Sequence, residues 1–379
     1  MLPKRANLAQ LASTWDLVVV GGGITGAGVA MMAAQQGINV LLVEQRDYAW
    51  GTSSRSSKMV HGGLRYLAQG AIGLTRESLK ERERLRKELP ELVKPMDYYF
   101  PVLKGQFPGP IAMGIALWCY DWLAGVRETQ WHNRACLKTL WPQYEDPRVR
   151  GAYRYTDALT DDSRLVLRVL QEASAHGAEV MNYVSAQEIT PFEGGANIVL
   201  QDHIHGHTKT IRALQVVNAT GAWADTLSAT QPKIRPLRGS HLVLRAESLP
   251  ISACLTLLHP ADKRPVFVFP WRGSIVVGTT DQDHHSPLQE EPKASAAEVA
   301  YLLEALRHAF PRVSIKPKHI VSTQAGVRPV IASGKGKDPS KERRDHLVWQ
   351  GPGRINVSGG KLTTFRLIAL DTLKAAGFL

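Results

Sequence analysis

Residues 16–20 read DLVVV and run directly into Gly21-Gly22-Gly23-Ile24-Thr25-Gly26, while residues 39–43, NVLLV, end at Glu44. The β-branched run predicts a buried strand, and the small-residue stretch to about Gln36 predicts a helix entered through the glycine turn. A second strand then closes a βαβ unit. The GxGxxG spacing has a reason at each position. Gly21 permits the tight turn, Gly23 lets the backbone approach a pyrophosphate, and Gly26 allows close helix–strand packing. Glu44, ending the second strand, accepts hydrogen bonds from ribose hydroxyls. The fingerprint predicts a dinucleotide and leaves NAD and FAD both open.

The 379 residues, 44% hydrophobic and 21% charged, are too apolar for a disordered chain and long enough for two interlocked domains. A net charge of +12 favours an anionic substrate, an anionic membrane surface or nucleic acid, without choosing among them. Cys119, Cys136 and Cys254 form no CxxC pair, so neither a disulfide framework nor a zinc site is expected, and a cytoplasmic setting fits. No apolar run reaches the length of a membrane span. The nearest, residues 105–120, is cut early by Pro108 and Pro110, and the remainder, followed by Trp122, predicts a short apolar helix either packed against the protein or lying in a membrane interface.

Outward from the βαβ unit, residues 75–92 predict a charged, solvated helix, and residues 96–155 change to aromatic and proline-rich sequence. Residues 163–176 read as helix, 179–184 as extended chain, and 211–217 as a strand ending in Asn218-Ala219-Thr220-Gly221. HLVLR, PVFVFPW and SIVVGTT, between His241 and Thr280, predict a second sheet with a hairpin corner at Arg272-Gly273. Residues 333–345 predict an exposed loop, and the chain closes with a strand, a Gly359-Gly360 turn and a helix. The expected fold class is α/β: a discontinuous Rossmann-like dinucleotide domain from residues 14–95, 156–235 and 320–379, with a β-rich substrate domain from 96–155 and 236–319.

The run from Gly51 to Leu67, GTSSRSSKMVHGGLRYL, resembles the flavin-contacting signature of FAD-dependent glycerol-3-phosphate dehydrogenases of the aerobic type. Further matches follow in order: Val217-Asn218-Ala219-Thr220-Gly221-Ala222-Trp223, Arg238-Gly239-Ser240-His241, Val277-Gly278-Thr279-Thr280-Asp281, Gly326-Val327-Arg328-Pro329, and Gly359-Gly360-Lys361-Leu362-Thr363-Thr364-Phe365-Arg366. The resemblance implies a glutathione-reductase-like FAD domain. Its FAD is expected to contact Gly21, Gly23, Ile24, Thr25, Gly26, Glu44 and Gln45 at the βαβ unit. Thr52, Ser53, Ser54, Ser57, Lys58, His61, Gly62, Gly63 and Leu64 would follow along the signature run, with Thr220, Gly221, Gly326, Gly360, Lys361, Leu362 and Thr363 completing the set. That family's aerobic members usually continue into a helical C-terminal domain, which is not expected in a chain ending at Leu379.

The resemblance also implies oxidation of sn-glycerol 3-phosphate at C2 to dihydroxyacetone phosphate, with hydride passing to flavin N5. Arg65, Arg328, Arg344 and Lys361 are the implied cations, Tyr66 an orienting group, and His241 the proton acceptor, its ordinary pKa near ~6.5 suiting that role. Electrons are expected to pass to quinone or another acceptor, with peripheral contact at the anionic inner face of the cell membrane. No specific nucleic-acid partner is expected. Alternatives are a related FAD oxidoreductase acting on an amino acid or hydroxy acid, and a non-catalytic flavin-binding membrane adaptor. His203, His205 and His207 read as a hairpin tip, and no metal site is expected; the sequons at Asn218 and Asn356 fall in strands.

Overall fold

A computed structural model describes residues 5–68, 70–227, 233–332, 342 and 345–379. The first strand, β1 (Thr14–Val20), is flanked by parallel partners on both sides: β2 (Val40–Glu44) on one, Thr208–Asn218 on the other. Residues 17–19 and 40–43 are fully buried, which explains a continuous aliphatic run where a one-sided strand would alternate. Glu179–Asn182 extends this sheet beyond β2, and Arg354–Gly359 and His346–Gly351 extend it at the opposite edge. The helix α1 (Ile24–Gln35) lies against helices Asp162–Ala175 and Phe365–Ala375, burying Ala27, Val29, Ala30 and Ala33. The expected α/β architecture, with a βαβ nucleotide unit and a second sheet, is the observed one.

The second sheet is assembled from distant segments. Val93–Leu103 pairs antiparallel with Val149–Thr160, and Cys254–Leu258 joins it to the hairpin of Pro265–Trp271 and Ser274–Gly278. The hairpin corner is at Arg272-Gly273, as expected, both residues having positive φ (49° and 76°), the requirement of the tight turn that matches strand twist. Strand Ile234–Arg245 pairs with Ser274–Gly278 on one edge and Ile320–Ile331 on the other.

Three expectations need correction. Residues 320–331 were expected in the nucleotide domain but pair with Ile234–Arg245 in the second sheet, so the chain returns to the first sheet at His346. Met59–Val60 likewise pairs into the second sheet, against Leu159 and Ala158. The charged helix, Ile72–Glu88, is not solvated all round: Arg82 is 1% exposed and donates to Asp157 (2.6 Å) and to the Thr156 carbonyl (2.7 Å). A buried carboxylate on a distant strand gives that arginine its reason to face inward.

Helix Pro110–Ala124 begins with proline in its first turn and ends at Gly125 in the left-handed conformation. Met113, Leu117 and Tyr120 are buried, while Ile111, Ile115, Trp118 and Trp122 form an exposed stripe at helical spacing. Among the described residues no helix is long and apolar enough to cross a membrane. Asn218 and Asn356 are fully buried, the Asn218 side-chain amide donating to Asn356 Oδ1 at 2.9 Å, so neither sequon is accessible. The loop expected at 333–345 falls almost wholly outside the described residues.

Candidate active site

One continuous cleft of about 770 Å³ runs from the end of β2, past the glycine turn, to the second sheet. Its size is that of a cofactor-scale pocket. Gly21, Gly23, Ile24 and Thr25 line its middle with Ser53, Thr52, Thr220 and Gly221. The glycines are required by close approach: a Cβ on Gly26 would lie 1.9 Å from the Gly21 carbonyl oxygen, and one on Gly21 2.6 Å from that of Ala219. Gly26 therefore serves helix–strand packing and does not line the cleft. Glu44 does; its carboxylate accepts from the amides of Gly22 (2.7 Å) and Arg46 (2.9 Å), while burial pushes its pKa above the ordinary value.

At the first end, Glu44, Gln45, Arg46, Val184, Ala186 and Leu227 bound the space, beside Trp50 and Trp223. The Arg46 guanidinium lies 3.9 Å over the Trp50 ring. Ser57, His61, Gly63, Leu64, Gly326, Gly360, Lys361, Leu362 and Thr363 line the far portion. Of the expected cofactor contacts, Ser54, Lys58 and Gly62 are instead engaged with the protein. Ser54 Oγ donates to the Trp50 carbonyl, Lys58 Nζ to Asp162 (2.6 Å), and the Gly62 amide to Tyr120 Oη (2.9 Å). They shape the loop from behind. An elongated slot with a glycine turn at its waist and an acidic strand end at one extremity fits a dinucleotide.

Beyond Lys361 the walls change character. Tyr66, Tyr98, Tyr155, Phe267, Asp157, Arg264, Thr279, Asp281 and Arg328 surround the end nearest the second sheet. Arg328 is held by Thr279 Oγ1 (2.8 Å), the Thr280 carbonyl (3.2 Å) and Asp281 Oδ1 (3.3 Å). Gly239, on the neighbouring strand two residues beyond Leu237, which pairs with Arg328, leaves the space its guanidinium fills, since a Cβ there would come within 2.2 Å of Nη2. Lys361 Nζ donates to Ser78 Oγ (2.9 Å) and lies 3.8 Å over the Tyr66 ring. Burial lowers its pKa to about 7, with Asp345 and Asp157 opposing the shift.

His241 differs from expectation. It is 1% exposed, outside the cleft lining, with Nε2 2.9 Å from Ser57 Oγ and Nδ1 buried without a partner among the described residues. Burial, reinforced by Arg328 and Lys58, lowers its pKa to about 3. Gly278, its cross-strand partner, makes room for the ring. The imidazole is thus neutral at physiological pH and reaches the cleft only through Ser57. His61 lines the cleft directly, and burial lowers its pKa to about 4. Arg65 is in the short helix Leu64–Ala68, but its side chain, like all of Arg344, lies outside the described residues.

Arg264, Asp157 and Tyr98 were not singled out from the sequence, and Asp281 was quoted only as part of a motif. Asp157 accepts from Arg82 and from Tyr120 (2.9 Å). Tyr98 Oη is buried with no partner among the described residues. No local pattern marks them, because strand pairing across more than a hundred residues brings them together. Among the described residues no cluster of candidate ligands could hold a metal ion, and His203, His205 and His207 occupy an exposed turn.

Comparison with known proteins shows the family of the chain. The family described as DAO, FAD dependent oxidoreductase, matches residues 16–365. An aerobic glycerol-3-phosphate dehydrogenase of Staphylococcus aureus (strain MRSA252) is 36% identical over 370 residues, 94% of this chain and 66% of the relative. Its Staphylococcus epidermidis counterpart (strain ATCC 12228) is 37% identical over 371 residues, with the same coverage. The solved glycerol-3-phosphate dehydrogenase of Bacillus halodurans complexed with FAD superposes with a TM-score of 0.79 at 29% identity, over 96% of this chain and 64% of that one. The L-alpha-glycerophosphate oxidase of Mycoplasma pneumoniae, with FAD bound, has a TM-score of 0.76 at 15% identity, over 97% of this chain and 96% of that one, a likeness of fold. This chain spans just under two thirds of the length of the dehydrogenases it matches.

Proposed function

Because the chain belongs to the FAD dependent oxidoreductase family, we propose that it oxidises sn-glycerol 3-phosphate at C2 to dihydroxyacetone phosphate. One observation carries this reading: the glycine-lined slot opens, without a break, into a pocket whose walls include Arg264 and Arg328. A phosphate dianion requires fixed cations, and arginine forks held by Thr279 and Asp281 are pre-aimed for one. The likeness to dehydrogenases of that name supports the same substrate. FAD, when bound, supplies the hydride acceptor at N5.

The residues divide the remaining work. Glu44 with Gly21, Gly23, Ile24 and Thr25 of the turn hold the nucleotide, Ser53, Ser57 and Gly360 its central part, and Arg328 the substrate phosphate, with Tyr66 beside it. Arg65 and Arg344 join the cationic set by resemblance. For the hydroxyl proton, Lys361 is favoured over His241: it lines the cleft and its pKa lies near neutrality, where a base is both available and strong enough to act. His241 then supports Ser57 from behind. The two functional domains follow the two sheets, with the strand at 320–331 assigned to the substrate side.

The electron acceptor is quinone or another oxidant reached at a membrane surface. The exposed stripe Ile111, Ile115, Trp118 and Trp122, on a chain of net charge +12, supports peripheral contact with anionic lipid at the cytoplasmic face. No specific nucleic acid enters the scheme. Anaerobic addition of glycerol 3-phosphate to the FAD-loaded protein tests the reading: loss of flavin absorbance is expected, and Arg328→Ala should abolish it with FAD retained. Flavin bleached by an amino acid or unphosphorylated hydroxy acid and indifferent to glycerol 3-phosphate would refute it.

A further inference from the structure

Arg264 belongs to none of the motifs that point to the substrate, yet it faces the same pocket as Arg328. It ends the turn that follows Cys254–Leu258 and precedes strand Pro265–Trp271, with its amide donating to Asp262 Oδ1 (3.1 Å). Its side chain crosses to Asp281: Nη2 is 3.3 Å from Oδ2, and Nη1 donates to the Asp281 carbonyl at 3.4 Å. The other carboxylate oxygen, Oδ1, is 3.3 Å from Arg328 Nη1. One buried carboxylate, 4% exposed, therefore bridges two guanidinium groups, one from a turn and one from strand Ile320–Ile331.

We propose that Arg264 is a second phosphate-binding residue, paired with Arg328 through Asp281 into a two-arginine clamp; the proposal rests on the glycerol 3-phosphate reading of the site. Charge supports it. Asp281 shares one carboxylate between the two guanidinium groups, and both arginines line the cleft that a dianion would enter. Geometry supports it as well, since a guanidinium carries five N–H donors in a fixed plane and Asp281 takes one contact from each of Nη1 and Nη2 of Arg264. Both side chains are partly open to the cleft, at 21% and 27% exposure, so each can meet a ligand without first breaking the bridge. The clamp makes Arg264 a determinant of preference for phosphorylated over unphosphorylated alcohols. Asp281 is a positioning residue, acting through both arginines.

The experiment compares FAD-loaded wild type with Arg264→Gln and Arg264→Lys by anaerobic flavin reduction and by the spectral change on titrating inorganic phosphate. Loss of one charge-assisted contact should raise the dissociation constants for glycerol 3-phosphate and phosphate in parallel, by about 10- to 100-fold. The limiting reduction rate should change less than about threefold, and the lysine variant should recover part of the affinity. Phosphate and glycerol 3-phosphate affinities within twofold of wild type in Arg264→Gln would overturn the clamp. A wild type that binds phosphate through Arg264 but is never reduced by glycerol 3-phosphate would keep the clamp and refute the proposed oxidation.

Discussion

Replacing Glu298 with alanine should destabilise the protein by about 3 to 5 kcal/mol and loosen the phosphate pocket at the same time. Glu298 opens helix Ala296–Ala309 in a capping box with Ser295 and is 3% exposed. Its carboxylate also accepts from Ser240 Oγ (2.9 Å), Thr280 Oγ1 (2.7 Å) and Arg238 (2.8 Å). Burial alone would raise its pKa, but these hydrogen bonds outweigh burial and hold it at about 2, against 4.5 in the unfolded chain. A depression of that size corresponds to about 3 kcal/mol. The sign follows from the depressed value: the contribution is complete above pH 4.5 and disappears as pH falls toward about 2. Urea unfolding at pH 7 of FAD-loaded wild type, Glu298→Gln and Glu298→Ala measures it. Glutamine, which keeps the shape, should lose less than alanine. The Thr280 carbonyl holds Arg328, so KM for glycerol 3-phosphate should rise in both variants. A loss below about 1 kcal/mol in the alanine variant would refute the reasoning, because three buried donors would then have found partners elsewhere.

The rate of flavin reduction should rise with pH through about 7, as the Lys361 ammonium discharges and its neutral amine becomes available. Lys361→Met should remove that rise and slow reduction by about 10²- to 10⁴-fold, measured in an anaerobic stopped flow. Gly26→Ala places a methyl group against the immovable Gly21 carbonyl and should lower the FAD-to-protein ratio, whereas Gly28→Ala presses on the helix Phe365–Ala375, chiefly on the Phe365 ring, away from the cleft lining and should retain FAD. Trp118→Ser with Trp122→Ser should abolish co-sedimentation with vesicles of anionic lipid while leaving FAD content unchanged; undiminished binding would exclude the exposed helix as the contact.

The nucleotide half of the site is legible in sequence because its determinants are local. Twenty-odd residues carry β1, the glycine turn, α1 and Glu44, and each position has one physical explanation. The substrate half is legible only by resemblance. Arg264 and Asp281 meet because they flank the open end of one hairpin, Pro265–Trp271 with Ser274–Gly278, and Arg82 finds Asp157 across 75 residues; no periodicity records either event. His241 shows the converse: its motif is visible in the sequence, but its enclosed state depends on Gly278, Ser57 and Arg328, which only the assembled sheet brings together. The strand at 320–331 was misplaced for the same reason, since an aliphatic run carries no label for the sheet it joins.

The late arrival of that strand has a consequence for biosynthesis. Among the described residues, one edge of Ile234–Arg245 is covered by Ile320–Ile331, from Ile234 opposite Ile331 to Leu244 opposite Ile320. A nascent polypeptide growing on the ribosome therefore presents that edge uncapped until nearly ninety further codons have been read, and pairing across such a separation is slow. During this interval the growing chain is a template for intermolecular strand addition, so holdase chaperones should matter more to its yield than its finished stability would suggest.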